Sequence, residues 1–238
     1  IEDNAEDSFV FRNLANCLCK RLSDKEWAKK LYKKVEDNAE DFYDFCALAE
    51  SVCEHLGDKT WPKKIYKQLG DNTEYSFDFR KLADSICKHL KDKELLKEVY
   101  KKAEEKAEYE IDFRNIADSI CERLGDKELL KEVYEKWEGK AEHGTDSIYL
   151  ANSICDQLGD KTWAKKIYKQ IEDNAEYSFD FRYLANSLCK RLSDKEWTKK
   201  LYKKAEDKAE GDFDFLRIAE SICEQLGDKT WVKRYTSK

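Results

Sequence analysis

Proline, long apolar runs and an excess of positive charge are all missing from this sequence. Its 238 residues include one proline, which favours long helices because proline breaks them in the interior. No apolar run approaches the roughly 20 residues that span a membrane. The 45 Lys and Arg are outnumbered by 51 Asp and Glu, whereas nucleic-acid-binding proteins usually show a basic patch. We therefore expect a helical protein without membrane or nucleic-acid partners.

The sequence also lacks the patterns that carry catalysis or metal binding. It contains no Ser-His-Asp arrangement, no glycine-rich phosphate loop and no Cys-x-x-Cys pair. The three histidines, His55, His89 and His143, lie far from any metal-ligand spacing. Paired carboxylates occur along the whole chain and therefore carry no signal. We predict no enzymatic activity, no metal site and no cofactor.

Seven of the nine cysteines recur at one position every 34 residues: Cys19, Cys53, Cys87, Cys121, Cys155, Cys189 and Cys223. Equivalent positions on neighbouring packed helices lie roughly 8–10 Å apart, farther than the roughly 7 Å that a disulfide spans. We predict free thiols that act as small apolar side chains, with a metal or redox role as the alternative. Free thiols and the absence of a visible signal peptide favour a cytoplasmic location. The two remaining cysteines, Cys17 and Cys46, are expected to react first with thiol reagents.

The same period governs the whole chain. An Asp-Lys pair recurs without insertion or deletion at Asp24, Asp58, Asp92, Asp126, Asp160, Asp194 and Asp228. A fixed period of this size indicates a repeat array, in which each unit buries its apolar face against its neighbours.

Each period reads as two amphipathic helices. In the first, apolar residues with helical spacing predict a helix over residues 8–22, with Ser8, Ser76 and Ser178 as N-caps in three of the repeats. Glycines that suit a left-handed C-cap follow four of these helices: Gly57, Gly125, Gly159 and Gly227. The Asp of each Asp-Lys pair is predicted to cap the second helix, where its charge suits the helix dipole.

These residues resemble the tetratricopeptide repeat, which also has two helices per 34 residues. Phe11, Leu14, Ala15 and Leu18 are similar to its first-helix positions, and Ala28, Tyr32 and Val35 to its second-helix positions. The link within the pair is one residue longer than in that family, and Glu40 stands where its usual proline would be. Sel1-type repeats are a related alternative.

The resemblance implies an all-α fold, a right-handed superhelical α-solenoid of seven helix-turn-helix repeats in one domain. We place the units at residues 1–7 (part of a second helix), 8–41, 42–75, 76–109, 110–143, 144–177, 178–211 and 212–238, the last with an incomplete second helix.

The resemblance also implies a concave groove, lined by the first helix of each repeat, that binds a protein or peptide segment. Carried over residue by residue, the candidate ligand-binding residues are Arg12, Asn16, Arg80, Asp84, Arg114, Asp118, Asn152, Arg182, Asn186 and Lys190. Asparagine can bond a peptide backbone as donor and acceptor, and arginine can grip a carboxylate. Alternatively, Arg80 with Asp84 and Arg114 with Asp118 form i, i+4 pairs that satisfy each other.

The alternative function is a structural, self-assembling or engineered repeat module with no dedicated ligand. Near-copies within the chain suggest duplication of blocks or design from a consensus. Residues 228–238 followed by residues 1–6 restore the register of residues 160–176, so we expect head-to-tail association of open ends. Tyr235 and Thr236 weaken that match.

The fifth repeat breaks the pattern. Ser147 stands where the other repeats have Phe11, Phe45, Phe79, Phe113, Phe181 and Phe215. Shortly before it, Trp137 replaces the smaller apolar residues of the other second helices. A volume-conserving exchange is one interpretation, and a local bend or a binding pocket is the other.

Overall fold

The computed structural model describes residues 8–73, 76–141 and 144–230, and these residues form paired α-helices. The thirteen helices of these ranges are α1 Ser8–Cys17, α2 Lys25–Asn38, α3 Phe42–Ser51, α4 Thr60–Asn72, α5 Ser76–Ser85, α6 Lys93–Lys106, α7 Glu110–Arg123, α8 Lys127–Lys140, α9 Thr145–Ser153, α10 Lys161–Asn174, α11 Ser178–Leu192, α12 Lys195–Asp207 and α13 Asp212–Leu226. The expected partial helix over residues 1–7, the end of the last repeat and the head-to-tail match lie outside the described residues. The all-α prediction is confirmed for the residues described.

The helices pack in pairs within two compact units, one that ends at Leu129 and one that begins at Leu130. In the first unit α1 packs on α2, α3 on α4 and α5 on α6, while α1, α3, α5 and α7 contact one another in sequence. In the second unit α9 packs on α10 and α11 on α12, while α9, α11 and α13 contact in sequence. Odd-numbered helices thus stand side by side within each unit.

The odd-numbered helices end in left-handed residues. Gly57, Gly125, Gly159 and Gly227 all have φ between 62° and 77°, which confirms them as C-caps. Ser23, Lys91 and Ser193 adopt the same conformation at φ 55°, 55° and 57°. The predicted helix over residues 8–22 is not uniform, because Leu18–Leu22 forms a π-helical turn. Similar turns follow α3, α5 and α9, and the capping N–H of Lys91 and that of Gly159 each bond a carbonyl five residues back.

The predicted capping bonds are confirmed at six aspartates before even-numbered helices. Asp24, Asp58, Asp92, Asp126, Asp160 and Asp194 each accept a hydrogen bond from the backbone N–H three residues on, at 2.9–3.2 Å. The serine caps are wrong where the side chain is described. Ser178 is already the first residue of α11, and Asp180 accepts from the N–H of Tyr177 at 3.2 Å. Ser8 donates to Asp44 of α3 at 2.8 Å, so its hydroxyl bridges two helices.

The core is built from apolar residues of both the odd and the even helices. The alanines at one repeat position are all buried: Ala15, Ala49, Ala83, Ala117, Ala151, Ala185 and Ala219. They face six buried tyrosines, one on each even helix. Consecutive even helices are also joined by indole–carboxylate bonds, from Trp61 to Glu36 at 3.0 Å and from Trp197 to Glu172 at 2.9 Å.

Candidate functional site

Within each unit, the candidate site residues lie on the odd helices above a layer of buried tyrosines. These are Tyr32, Tyr66, Tyr100, Tyr134, Tyr168 and Tyr202, and every hydroxyl has a hydrogen-bond partner at 2.5–2.7 Å. Burial raises the pKa of five of them, and that of Tyr100 to about 12. These five phenols stay neutral at pH 7. Tyr32, Tyr168 and Tyr202 donate to side-chain oxygens of asparagine, whereas Tyr66 and Tyr100 share hydrogen bonds with Ser85 and Ser119 in which either oxygen can donate.

Asn16, Asn152 and Asn186 are half-buried and already take part in this layer. Their Oδ1 atoms accept from Tyr32, Tyr168 and Tyr202, respectively. The Nδ2 of Asn152 also reaches Ser187 of the next odd helix at 3.4 Å, and the Nδ2 of Asn186 reaches Ser221 at 3.4 Å. These bonds orient the amides and reduce their capacity to bind a peptide backbone.

The carboxylates on this face join neighbouring odd helices. Asp84 of α5 accepts from Nε of Arg123 of α7 at 2.6 Å, and that arginine also bonds Ser119. The suggested pairing of Arg80 with Asp84 is therefore replaced by one between helices, from Arg123 of α7 to Asp84 of α5. Asp156 receives Arg191 in the same way through both carboxylate oxygens.

The arginines and the lysine of the candidate set differ in exposure. Arg80, Arg114 and Lys190 are exposed, while Arg12 and Arg182 are half-buried. The guanidinium of Arg12 stands 5.4 Å from the ring centre of Phe9, and that of Arg182 stands 4.5 Å from that of Tyr183. Stacking on an aromatic face holds an arginine in place without neutralising its charge.

Within each unit, exposed apolar side chains line the N-terminal ends of the odd helices. The second residue of six of these helices is large, apolar and exposed: Phe9, Tyr43, Phe77, Ile111, Phe179 and Phe213. We call this set the apolar row. Phe77 is 65% exposed and Phe213 is 66% exposed, because both point away from the face that packs on the even helices. Cations flank the row, with Lys81 4.3 Å from the ring of Tyr43 and Arg217 4.9 Å from that of Phe213.

Sequence analysis did not predict the apolar row. The signal was present, since large apolar residues recur at this position with the repeat period. It was missed because these residues fall off the apolar stripe that defines each helix.

Comparison with known proteins identifies no family. No protein-family model and no curated protein matches the chain. Among solved structures, it is similar to one described as a "Circular tandem repeat protein with novel repeat topology and enhanced subunit contact surfaces", with 17% identity and a TM-score of 0.13. The match covers 95% of this chain and 42% of that one, so the chain spans less than half of its length. The chain is a helical tandem-repeat array.

The cysteines of the array are unpaired, but their exposure differs from the prediction. All nine are free thiols, and Cys17 is exposed as expected. Cys46 is only 1% exposed, so its predicted early reaction is wrong. It occupies the position of Arg12 in its repeat, where a short side chain turns into the core. Burial raises its pKa to about 12. Of the seven periodic thiols, Cys121 alone is exposed.

Within the described part of the array, no three His, Cys, Asp or Glu side chains form a group that could hold a metal ion. None of the described helices has the length and apolar character needed to cross a membrane.

Proposed function

We propose that the chain is a non-catalytic scaffold that binds a protein or peptide segment along the exposed ends of its odd helices. In this proposal the seven repeats form a tetratricopeptide-like right-handed solenoid. The observation that carries the proposal is the apolar row with arginines three residues further on, at Arg12, Arg80, Arg114 and Arg182. Exposed apolar patches mark interaction sites, and aromatic residues and arginine dominate binding hot spots.

The spacing of the row suits an extended segment. In the first unit, Phe9, Tyr43, Phe77 and Ile111 lie on α1, α3, α5 and α7, which contact in sequence. Packed helices are about 8–10 Å apart, so the four residues span roughly 25–30 Å. An extended chain rises about 3.3 Å per residue, and eight or nine residues would therefore cover the row.

The charges suggest what that segment contains. Arg80 and Arg114 are exposed, and arginine prefers carboxylate partners through paired N–H bonds. In a segment that alternates acidic and aromatic residues, the carboxylates would contact the arginines and the aromatic rings would contact the apolar row. In this proposal the asparagines lie beneath the bound segment and support the surface, because their Oδ1 atoms accept hydrogen bonds from the tyrosine hydroxyls.

The proposal is tested with nine-residue peptides that alternate glutamate and phenylalanine, compared with scrambled and lysine-containing versions, by fluorescence anisotropy. We expect the paired change Phe9→Ser and Phe77→Ser to weaken binding at least tenfold, and Arg12→Glu with Arg80→Glu to do the same. The matched control is Lys29→Glu with Lys30→Glu, which makes the same charge change on the exposed side of α2. Equal binding by all variants, or by lysine-containing peptides, would overturn the proposal.

Self-association is the second candidate, because the same apolar row could be covered by another copy of the chain. Light scattering over a concentration series distinguishes the two functions. A particle that stays monomeric at high concentration excludes self-association, whereas an oligomer dissociated by Phe77→Ser would assign the row to it.

A further inference from the structure

The fifth repeat lacks a ring that four of the other repeats bury. The phenyl groups of Phe11, Phe79, Phe113 and Phe181 are each at most 5% exposed. They lie between an odd helix and its even partner, and lysines from the even helix cover them. Lys34 stands 5.4 Å from the ring centre of Phe11, Lys204 stands 5.6 Å from that of Phe181, and Lys106 stands 5.8 Å from that of Phe79.

At Ser147 this ring site is a cavity of about 320 Å³. Its walls include Ser147, Leu150, Ile167, Ile171, Gln170 and Asn174. Gln170 follows Ser147 at the same spacing at which Lys34 follows Phe11. Asn174 likewise follows Ser147 at the spacing at which Lys106 follows Phe79. Two of the walls thus occupy positions whose side chains lie beside a buried phenyl group in other repeats, which places the cavity at the vacated ring site.

Trp137 does not take up all the room that Ser147 leaves. Its indole is fully buried on α8, with its ring centre 6.1 Å from that of Tyr134. A cavity remains beside Ser147 all the same. This open volume beside Ser147 favours the pocket interpretation of the junction.

The polar groups of the cavity select the kind of ring. Gln170 and Asn174, like Gln68 and Asn72 of the second repeat, stand where several other repeats have lysine, so these two positions add no charge to the wall. Asn174 donates from Nδ2 to the carbonyl of Gln170 at 2.8 Å. Among the described residues, neither the Oδ1 of Asn174 nor the side-chain amide of Gln170 has a hydrogen-bond partner. Glu138 at the edge is held by Trp163 at 2.8 Å and Lys166 at 3.5 Å.

We propose that this cavity is a binding site for one phenolic ring, which replaces the missing phenyl group and donates its hydroxyl proton to Asn174 or Gln170. Its volume lies at the lower end of small-molecule sites and suits a single ring. A smaller apolar cavity is known to accept benzene. The ring comes from a free phenol or from a tyrosine of a bound segment. A second cavity of about 360 Å³, which shares Ile171 and Asn174 and is lined by Tyr177 and Phe179, leaves room for the rest of a larger ligand.

The test uses p-cresol, toluene and a blocked tyrosine dipeptide as probes, with binding followed by NMR chemical shifts and calorimetry. Wild-type protein should bind p-cresol saturably and at least fivefold more tightly than toluene. Ser147→Phe refills the site and should weaken the binding of p-cresol at least tenfold, while the circular dichroism spectrum stays unchanged. If that variant misfolds, Ser147→Leu serves instead. Asn174→Leu should abolish the preference for p-cresol over toluene.

A matched gain of function is available in the same unit. Phe181→Ser opens the equivalent site beneath Lys204 and should create a second binding event for toluene. Tighter binding of the dipeptide than of p-cresol, again lost in Ser147→Phe, assigns the ring to a peptide, and the reverse order assigns it to a free phenol. The proposal is overturned if p-cresol does not saturate wild-type protein, or if Ser147→Phe binds it equally well.

Discussion

At the scale of single residues, the turns between paired helices show how one backbone geometry is imposed on different side chains. Glycine adopts a positive φ without steric penalty, whereas a side chain in the left-handed region costs about 1–2 kcal/mol. Three repeats nevertheless have serine or lysine at this position, namely Ser23, Lys91 and Ser193. The packing of the hairpins therefore fixes the turn even where the residue disfavours it.

Replacing Lys91 by glycine should stabilise the protein by about 0.5–1 kcal/mol. The gain is the relieved backbone strain, less the extra entropy that glycine has in the unfolded chain. Urea unfolding measures the change. Lys101→Gly, an exposed site within α6, is the matched control and should destabilise by about 1 kcal/mol. A destabilising Lys91→Gly would show that the lysine side chain contributes more than its strained backbone costs.

The thiols should react in an order set by burial. Cys17 and Cys121 are exposed and should be modified first by a mild reagent. Burial raises the pKa of Cys53 to about 11 and that of Cys46 to about 12, so both lack thiolate at neutral pH. Cys46 should react last, and only as the protein unfolds. Mass spectrometry of partially labelled native protein gives the order, and early labelling of Cys46 would contradict this structure of α3.

At the scale of helices, neighbouring repeats are linked through carboxylates on the even helices. Glu172 of α10 accepts from Trp197 of α12 at 2.9 Å, from Lys204 at 2.7 Å and from Lys169 at 2.8 Å. Burial by itself raises the pKa of Glu172, but hydrogen bonds from Lys169, Lys204 and Trp197 outweigh it, and the net shift is downward. The charged form is thus the one that joins α10 to α12.

Glu172→Gln should destabilise the protein by about 1.5–3 kcal/mol at pH 7, because hydrogen bonds to a charged group are lost. A carboxylate with a lowered pKa stabilises the fold above its unfolded pKa, and this contribution disappears as the pH falls through the folded value. The difference between wild type and variant should therefore shrink below about pH 4.5, as urea unfolding at several pH values can measure. Glu36→Gln is the control with a more exposed carboxylate and should cost less. A pH-independent difference would mean that the charge of Glu172 is not involved.

The junction of α8 and α9 offers a second test between elements. Trp137→Ala should destabilise by about 3–5 kcal/mol, as removal of a buried large side chain does. Ser147→Phe should recover part of that loss if the two side chains share one space. A double-mutant cycle measured by urea unfolding gives the coupling, and additive effects would show that the two sites are independent.

At the scale of the whole chain, the sequence predicted the regular features and not the exceptions. Periodicity and aspartate caps were sufficient for the helix pairs, because both depend on local spacing. The exposure of Phe77 and the burial of Cys46 depend on which way a side chain leaves its helix, which composition does not reveal. The bond from Arg123 to Asp84 was missed because helical spacing pointed to a nearer arginine, Arg80. The sequence left open whether Ser147 and Trp137 are a volume-conserving exchange or mark a pocket, because the volume that remains between side chains depends on how they pack.

The layer of buried tyrosines predicts how the whole fold responds to alkali. Burial holds the pKa values of Tyr32, Tyr66, Tyr100, Tyr168 and Tyr202 above the ordinary value of 10, with that of Tyr100 at about 12. The unfolded chain loses these protons first, so the stabilisation is complete below pH 10 and is lost as the pH rises through the folded values.

The free energy of unfolding should therefore fall steeply above pH 10, by about 1.4 kcal/mol per pH unit for each tyrosine that is still protonated in the fold. Tyr100→Phe should remove the contribution of one tyrosine to this slope between pH 10 and about 12. The variant leaves the Ser119 hydroxyl bonded to Arg123 at 2.9 Å, so its effect is confined to the phenol.

Tyr109→Phe, at a 70% exposed tyrosine, is the control and should leave the slope unchanged. Urea unfolding between pH 8 and 11, with tyrosinate absorbance of the native protein, makes the measurement. If the part of the absorbance that Tyr100→Phe removes arose near pH 10, the layer would be open to water, because only a water-excluded phenol resists ionisation through the range in which the unfolded chain has lost its protons.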